Sequence, residues 1–216
     1  MSKLSRRSLM PLLGATLVAP GLLLTRQARA EEVIGEVKRV QNFAAATTGL
    51  DDRILAVGDP IYRDDRVFTG ADARLELSFV DQTSLTLGAD AALDIGSFVF
   101  DGSGGEACWN MLAGAFAMTT GLIGKNDPQR VVVTTPVSTI GIRGTTFWGG
   151  EIDSELYGVL ILDGAVDVMT RAGTVTLDDV GEGTKINMQT GVPSEPNTWG
   201  EGLVAQAVAT ITFASD

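Results

Sequence analysis

Strict alternation is the feature that most constrains this chain. Ala73, Leu75, Leu77 and Phe79 are apolar, while Arg74, Glu76 and Ser78 between them are polar or charged. After Asp81-Gln82-Thr83 the same rhythm resumes, with Leu85 and Leu87 around Thr86. Leu93 and Ile95 flank Asp94, and Phe98 and Phe100 flank Val99. A period of two places alternate side chains on opposite faces of an extended backbone, so each run is a short strand with one buried face. The punctuation is glycine-rich, at Gly102-Ser103-Gly104-Gly105, Gly149-Gly150 and Gly181-Glu182-Gly183. Tight turns that repeatedly need positive φ are the expected reason for the glycine excess, 26 in 216 residues.

Further strands are expected at Arg130–Thr134, Thr145–Trp148, Val175–Leu177 and Thr184–Met188. The sharpest hairpin signal is Asp163-Gly164 between Tyr157–Leu162 and Ala165–Val168. Asp-Gly favours a two-residue type I′ turn, which would pair Leu162 with Ala165 and Ile161 with Val166. Val159, Ile161, Val166 and Val168 would then face the core, with Asp167 and Leu160 on the other side. Helical periodicity is confined to the tail, where Gly202–Thr210 reads as a short helix with Val204, Ala205, Val208 and Ala209 as its apolar face. The expected fold is all-β. It is a single domain, either an antiparallel sandwich or a β-helix-like stack of short strands, with a short C-terminal helix. No strict repeat period accompanies the turns.

Composition closes the commonest routes to catalysis. The chain has no histidine and one cysteine, Cys108. A Ser-His-Asp triad, a Cys-His pair, a His-based metal site and an internal disulfide are therefore all out of reach. A net charge of −11 argues against nucleic acid, whose phosphates need clustered Lys and Arg.

The first thirty residues read as an export signal. Lys3, Arg6 and Arg7 precede an apolar run from Leu9 to Leu24, followed by Ala28-Arg29-Ala30, the small-x-small pattern of a cleavage site. Ser5-Arg6-Arg7-Ser8-Leu9-Met10 resembles the twin-arginine motif. Residues 1–30 contain five basic residues and no acid, so their removal takes the charge from −11 to −16. The expected organisation is 1–30 signal, 31–190 β domain, and 191–216 linker and tail, with Pro193, Pro196 and Trp199 in the linker. The expected location is the periplasm or the exterior of a bacterium, with no membrane span in the mature chain.

Several stretches together resemble the FecR domain of bacterial envelope proteins. They are Val57-Gly58-Asp59-Pro60-Ile61, then Asp65-Arg66-Val67-Phe68-Thr69-Gly70, then the alternating run from Ala73 to Leu87 with its Asp81-Gln82-Thr83 turn. Gln82-Thr83 stands where the family has a Gly-Ser turn. The most specific stretch is Thr135-Pro136-Val137-Ser138-Thr139-Ile140-Gly141-Ile142-Arg143-Gly144-Thr145-Thr146-Phe147, similar to the family's Thr-Pro and Arg-Gly-Thr signature. Leu162-Asp163-Gly164-Ala165-Val166-Asp167-Val168 matches its closing motif, with Asp163 in place of Glu. The resemblance spans roughly Gly35 to Lys185. It implies an all-β periplasmic domain of the kind found in iron-uptake regulators, where an inner-membrane protein links an outer-membrane receptor to a sigma factor. Neither a cytoplasmic anti-sigma segment nor a C-terminal secretin/TonB-like module is recognisable, so the reading is a freestanding exported domain.

The motif residues Gly58, Asp59, Asp81, Pro136, Gly141, Arg143, Gly144 and Thr145 have structural roles in this reading. Thr135-Pro136 favours extended backbone. Gly141 and Gly144 bracket a turn or bulge. Arg143 would staple turn carbonyls or pair with Asp81 or Asp59; its functional alternative is to clamp a carboxylate or a partner. Asp101-Gly102-Ser103-Gly104-Gly105-Glu106 lacks the ligand series of a calcium loop and reads as a solvated turn. Cys108 reads as a small core residue, and Trp109, Trp148 and Trp199 as packing residues rather than a glycan platform. No cofactor is implied. The leading expectation is a non-enzymatic domain that senses or signals through an envelope protein partner. A structural or adhesive protein binding glycan or calcium is the alternative, and a carboxylate-dependent hydrolase ranks last.

Overall fold

A computed structural model describes residues 32–214, so the export signal lies outside the described residues. In chain order the strands are β1 (Val33–Gln41), β2 (Ala44–Thr48), β3 (Asp51–Ile54), β4 (Pro60–Tyr62), β5 (Arg66–Thr69), β6 (Arg74–Phe79), β7 (Ser84–Leu87), β8 (Ala92–Phe100), β9 (Gly105–Ala113) and β10 (Phe116–Thr119). A one-turn helix α1 (Leu122–Asn126) and a 3-10 turn (Pro128–Arg130) lead to β11 (Val131–Thr134), β12 (Thr139–Glu151), β13 (Leu156–Thr170), β14 (Gly173–Leu177), β15 (Glu182–Asn187) and β16 (Asn197–Thr198). Helix α2 (Glu201–Ile211) closes the chain.

The strands form one continuous sheet that folds over on itself, all-β as the alternation dictates. Two long strands make this possible. β12 and β13 pair with each other from Thr139–Met169 to Glu151–Tyr157. On its other edge β12 pairs first with β11 and then with β10. The other edge of β13 pairs with β15 through Leu156–Leu160 and with β14 through Val166–Thr170. The long hairpin therefore belongs to two layers. The first runs β3-β2-β5-β8-β9-β11-β12-β13-β14, and the second β4-β1-β6-β7-β10-β12-β13-β15-β16. All pairs are antiparallel except β9–β11, which is parallel.

The layers meet through the buried face of each strand. Phe79 of the second layer lies 5.5 Å from both Phe98 and Trp109 of the first, centroid to centroid. Leu75, Leu77, Leu85, Leu87, Leu93 and Ile95 are buried around them, as the alternation requires.

The Asp163-Gly164 hairpin is corrected. β13 runs straight through these residues, and Ile161 and Val166 pair with Phe147 and Ile142 of β12 rather than with each other. Asp-Gly here forms a bulge, because both a type I′ turn and a bulge need a residue at positive φ, and Gly164 supplies it at +79°. Gly144, at φ +62°, bulges opposite it. A Cβ on Gly164 would come within 2.5 Å of the Gly144 carbonyl, so the bulges nest only around glycine. The odd insertion preserves the expected burial: Val159, Ile161, Val166 and Val168 are all in the core.

The short C-terminal helix is present as expected, but its docked face and the place of Trp199 differ. Trp199 is 5% exposed and lies edge-on to Trp148 at 6.1 Å, on the outside of the second layer. A Cβ at Gly158 or Gly183 would come within 2.6 Å of the Trp199 ring, so these glycines leave the slot it fills. Helix α2 covers the same patch with Leu203, Val204, Ala207 and Ile211, and Thr210 accepts the Trp148 Nε1 hydrogen bond at 2.9 Å. The predicted apolar face is rotated: Ala205, Val208 and Ala209 are exposed. Leu203, Ala207 and Ile211 carry the contact because Trp148 and Leu160 fix which side of the helix docks.

Candidate functional site: a knot of motif residues and a bare groove

Most of the motif residues are consumed in turns. Asp59 accepts the Ala56 N–H at 2.8 Å, beside Gly58 at φ +90°. Thr135-Pro136-Val137-Ser138 is the turn between β11 and β12, closed by the Thr135 N–H on the Ser138 carbonyl at 2.8 Å, with Pro136 exposed at its second position. The Asp81-Gln82-Thr83 turn joins β6 to β7 with Gln82 at φ +71°, a left-handed conformation that glycine adopts without strain.

Three of the signature stretches converge at the waist of the long hairpin. Asp81 is fully buried; its carboxylate accepts from the Thr83 N–H at 3.0 Å and the Thr83 hydroxyl at 2.9 Å. Its backbone carbonyl accepts from Leu122 at 2.7 Å, and the Thr83 hydroxyl accepts from Gly121 at 3.0 Å. Thr120, next along, accepts the Thr145 N–H at 3.2 Å and donates its hydroxyl to the Thr145 carbonyl at 2.8 Å. The Thr145 hydroxyl in turn donates to the Asp163 carbonyl. The chain Asp81–Thr83–Gly121–Thr120–Thr145–Asp163 thus ties the β6–β7 turn, α1 and both bulged strands together. Buried polar groups satisfied in this way fix one geometry.

A second tie was missed by sequence reasoning. Asp65 is fully buried and accepts from Thr48, from the Tyr62 N–H at 2.8 Å and from Arg53. Arg53 also donates to the Pro60 carbonyl at 2.7 Å. Asp65 stands in a quoted motif, but nothing local in the sequence links it to Arg53.

Arg143 behaves differently. It meets neither Asp81 nor Asp59; it pairs with Asp167 on β13, and its side chain is 59% exposed. The parity of the strand explains this. Ile140 and Ile142 point into the core, so Gly141 and Arg143 point outward. That alternation was legible and could have placed Arg143 outside. The Asp167 carboxylate is held from two sides, by Arg143 and by the Thr176 hydroxyl at 2.7 Å.

Arg143 and Asp167 line a groove of about 500 Å3 on the outer face of the first layer. Its walls are Pro128 and Gln129 on one side and Met169 on the other, with Val132 and Gly141 between them. Nothing lies closer than 3.9 Å to where a Gly141 Cβ would be, so the absence of a side chain there is what opens the groove. The arrangement offers one guanidinium with unspent donors beside an apolar trough, suited to an extended peptide segment with a carboxylate.

The remaining candidates are accounted for by local bonds. Asp101 accepts from the Ser103 N–H at 2.9 Å and the Gly104 N–H at 2.8 Å, and these backbone donors, with the Ser103 hydroxyl, hold its carboxyl below the ordinary range. Among the described residues, no three His, Cys, Asp or Glu side chains gather as a metal site needs. Cys108 is half-buried on the outer face of β9; burial, with the charge of Glu106, pushes its thiol up from 9.0. Trp109 is in the core, and Trp148 and Trp199 bury against each other, so none of the three presents a ring face to a sugar.

Residues 65–167 match the profile of the family described as FecR protein. The chain carries a FecR domain. The match takes in the waist knot, Arg143 and Asp167, and leaves the Val57–Ile61 run outside. The fold is also shared with two crystal structures of a protein from Parabacteroides distasonis ATCC 8503, provisionally assigned as an anti-sigma factor. For each the TM-score is 0.54 and the identity 16%, over 65% of this chain and 62% of that one. The chain therefore matches less than two thirds of that protein's length, and the likeness is one of fold. No curated protein matches the chain in sequence.

Proposed function

We propose that this protein is a non-enzymatic, exported FecR-type domain that senses or signals in the bacterial envelope by binding another protein. The observation that carries the reading is the contrast among its motif residues. Asp59, Asp81, Pro136, Gly144 and Thr145 are spent on turns and knots, whereas Arg143 stands outside them in an open groove. An arginine that a fold does not need for its own turns is available for recognition. The FecR match supports a signalling role, and the basic start, apolar run and Ala28-Arg29-Ala30 support export. No helix among the described residues is long and apolar enough to cross a membrane.

The test is affinity capture from envelope extract, comparing the wild type with Gly141→Leu, which fills the groove floor where the backbone leaves space. The expected result is a discrete protein recovered by the wild type and lost from the variant, with the melting temperature unchanged. Identical capture by both proteins removes the groove from the mechanism. Retention on glycans or a calcium-dependent melting shift, without protein capture, replaces this reading with adhesion.

A further inference from the structure

Each layer of the sandwich has two border strands, and among the described residues three of the four borders are closed to pairing. β3 carries Asp51, Asp52 and Arg53 within four residues, and charge on a border discourages strand addition. β4 is three residues long and begins at Pro60, which has no N–H, and Arg53 already occupies the Pro60 carbonyl. β16 has two residues, and an Ile186–Pro193 bridge covers more of the β15 border. β14 has none of these devices. Its sequence, Gly173-Thr174-Val175-Thr176-Leu177, has no charge and no proline. It pairs with β13 alone, in unbroken register.

The hairpin register fixes which backbone groups face outward. Arg171-Ala172 is a two-residue turn between the paired Thr170 and Gly173. The closing pair of such a turn is hydrogen-bonded, and the pattern alternates from there. Gly173, Val175 and Leu177 spend their N–H and C=O groups on β13. Thr174 and Thr176, both exposed, direct theirs to the open border.

We propose that β14 is a self-association edge, at which two copies of this chain pair antiparallel about a two-fold axis between their Val175 residues. Thr174 of one copy then exchanges N–H···O=C bonds with Thr176 of the other, and the reverse pair does the same. The faces match: Val175 meets Val175 on the core side and the threonine hydroxyls lie outside, whereas a slip by one residue would mismatch every side chain. At each end lies Arg171 of one copy, whose Nε donates to its own Thr190 carbonyl at 2.9 Å, and its two terminal nitrogens approach Asp178 and Asp179 of the other; all three residues are exposed. An extended segment of another protein could use the same backbone groups. The sequence, however, complements itself, neutral centre on neutral centre and cation on acid at both ends. The contact is isologous, so it closes at two copies.

Sedimentation equilibrium of the purified chain over a concentration series tests this. Thr174→Pro removes an outward N–H and leaves the β13 ladder intact. The expected result is a wild-type dimer whose dissociation constant rises at least tenfold in Thr174→Pro, with the melting temperature held. Arg171→Asp should weaken the dimer, and adding Asp179→Arg to the same chain should restore it. This charge pair decides the matter if the proline variant folds poorly. A wild type that stays monomeric at every soluble concentration overturns the proposal. So does a dimer that survives both Thr174→Pro and Arg171→Asp, or one that the second charge reversal fails to restore.

Discussion

The two layers share their central hairpin, yet their outer faces have opposite fates. On the second layer, Trp148 and Leu160 point outward and are buried under Trp199 and α2. On the first layer, the corresponding outward positions of β12 and β13 hold Gly141, Arg143, Asp167 and Met169, which line an open groove beside the 3-10 turn. One continuous pair of strands thus supplies an apolar patch that its own chain covers and a charged groove that it leaves open. At the bulges the strands pass from one layer to the other, and Arg143 and Asp167 take outward places like those that Trp148 and Leu160 hold in the second layer. A fold covers what would otherwise be an exposed apolar surface; what it leaves bare is available for recognition.

The largest test of this contrast is Trp199→Ala. It empties a slot shaped by Gly158 and Gly183 and undocks α2, so a loss of about 3–5 kcal/mol is expected in denaturant unfolding. A loss comparable to that of an exposed residue would show that the covered face is not a core. Arg143→Ala, on the bare face, should cost less than about 1 kcal/mol, because its pair with Asp167 is open to solvent. A cost near that of Trp199→Ala would make Arg143 a structural clamp and remove it from recognition. The finest probe is alkylation of Cys108. Its thiol lies half-buried on the uncovered side, so the reagent should reach it, slowly at neutral pH and faster as the pH rises past 9.0, because burial holds it protonated. Reaction as fast as that of a free thiol at neutral pH would contradict the raised value.

Much of this architecture was legible in the residues. The alternation from Ala73 to Leu87 gave β6, β7 and their buried faces, because a period of two is local information. The Asp163-Gly164 signal misled because a turn and a bulge need the same positive φ. Only the partner strand, some twenty residues earlier, distinguishes them. Trp199 read as linker because the slot that holds it is made by Gly158 and Gly183, distant positions whose contribution is an absence of side chain. At the candidate site, the parity of Ile140 and Ile142 carried the orientation of Arg143. Its partner Asp167 and the gap at Gly141 required the register of β12 against β13. The Arg53–Asp65 tie was beyond the sequence altogether, since each residue taken alone reads as an ordinary surface charge although Asp65 is fully buried.

The shared hairpin has a consequence for how the molecule comes apart. In a sandwich of two separate sheets, one can peel from the other once the contacts between them fail. Here β12 and β13 run unbroken from one layer into the other, one half of each strand in each layer, so neither layer can separate without pulling on strands that the other holds. The connectivity therefore favours cooperative opening, and a load on the groove passes along these two strands into the second layer.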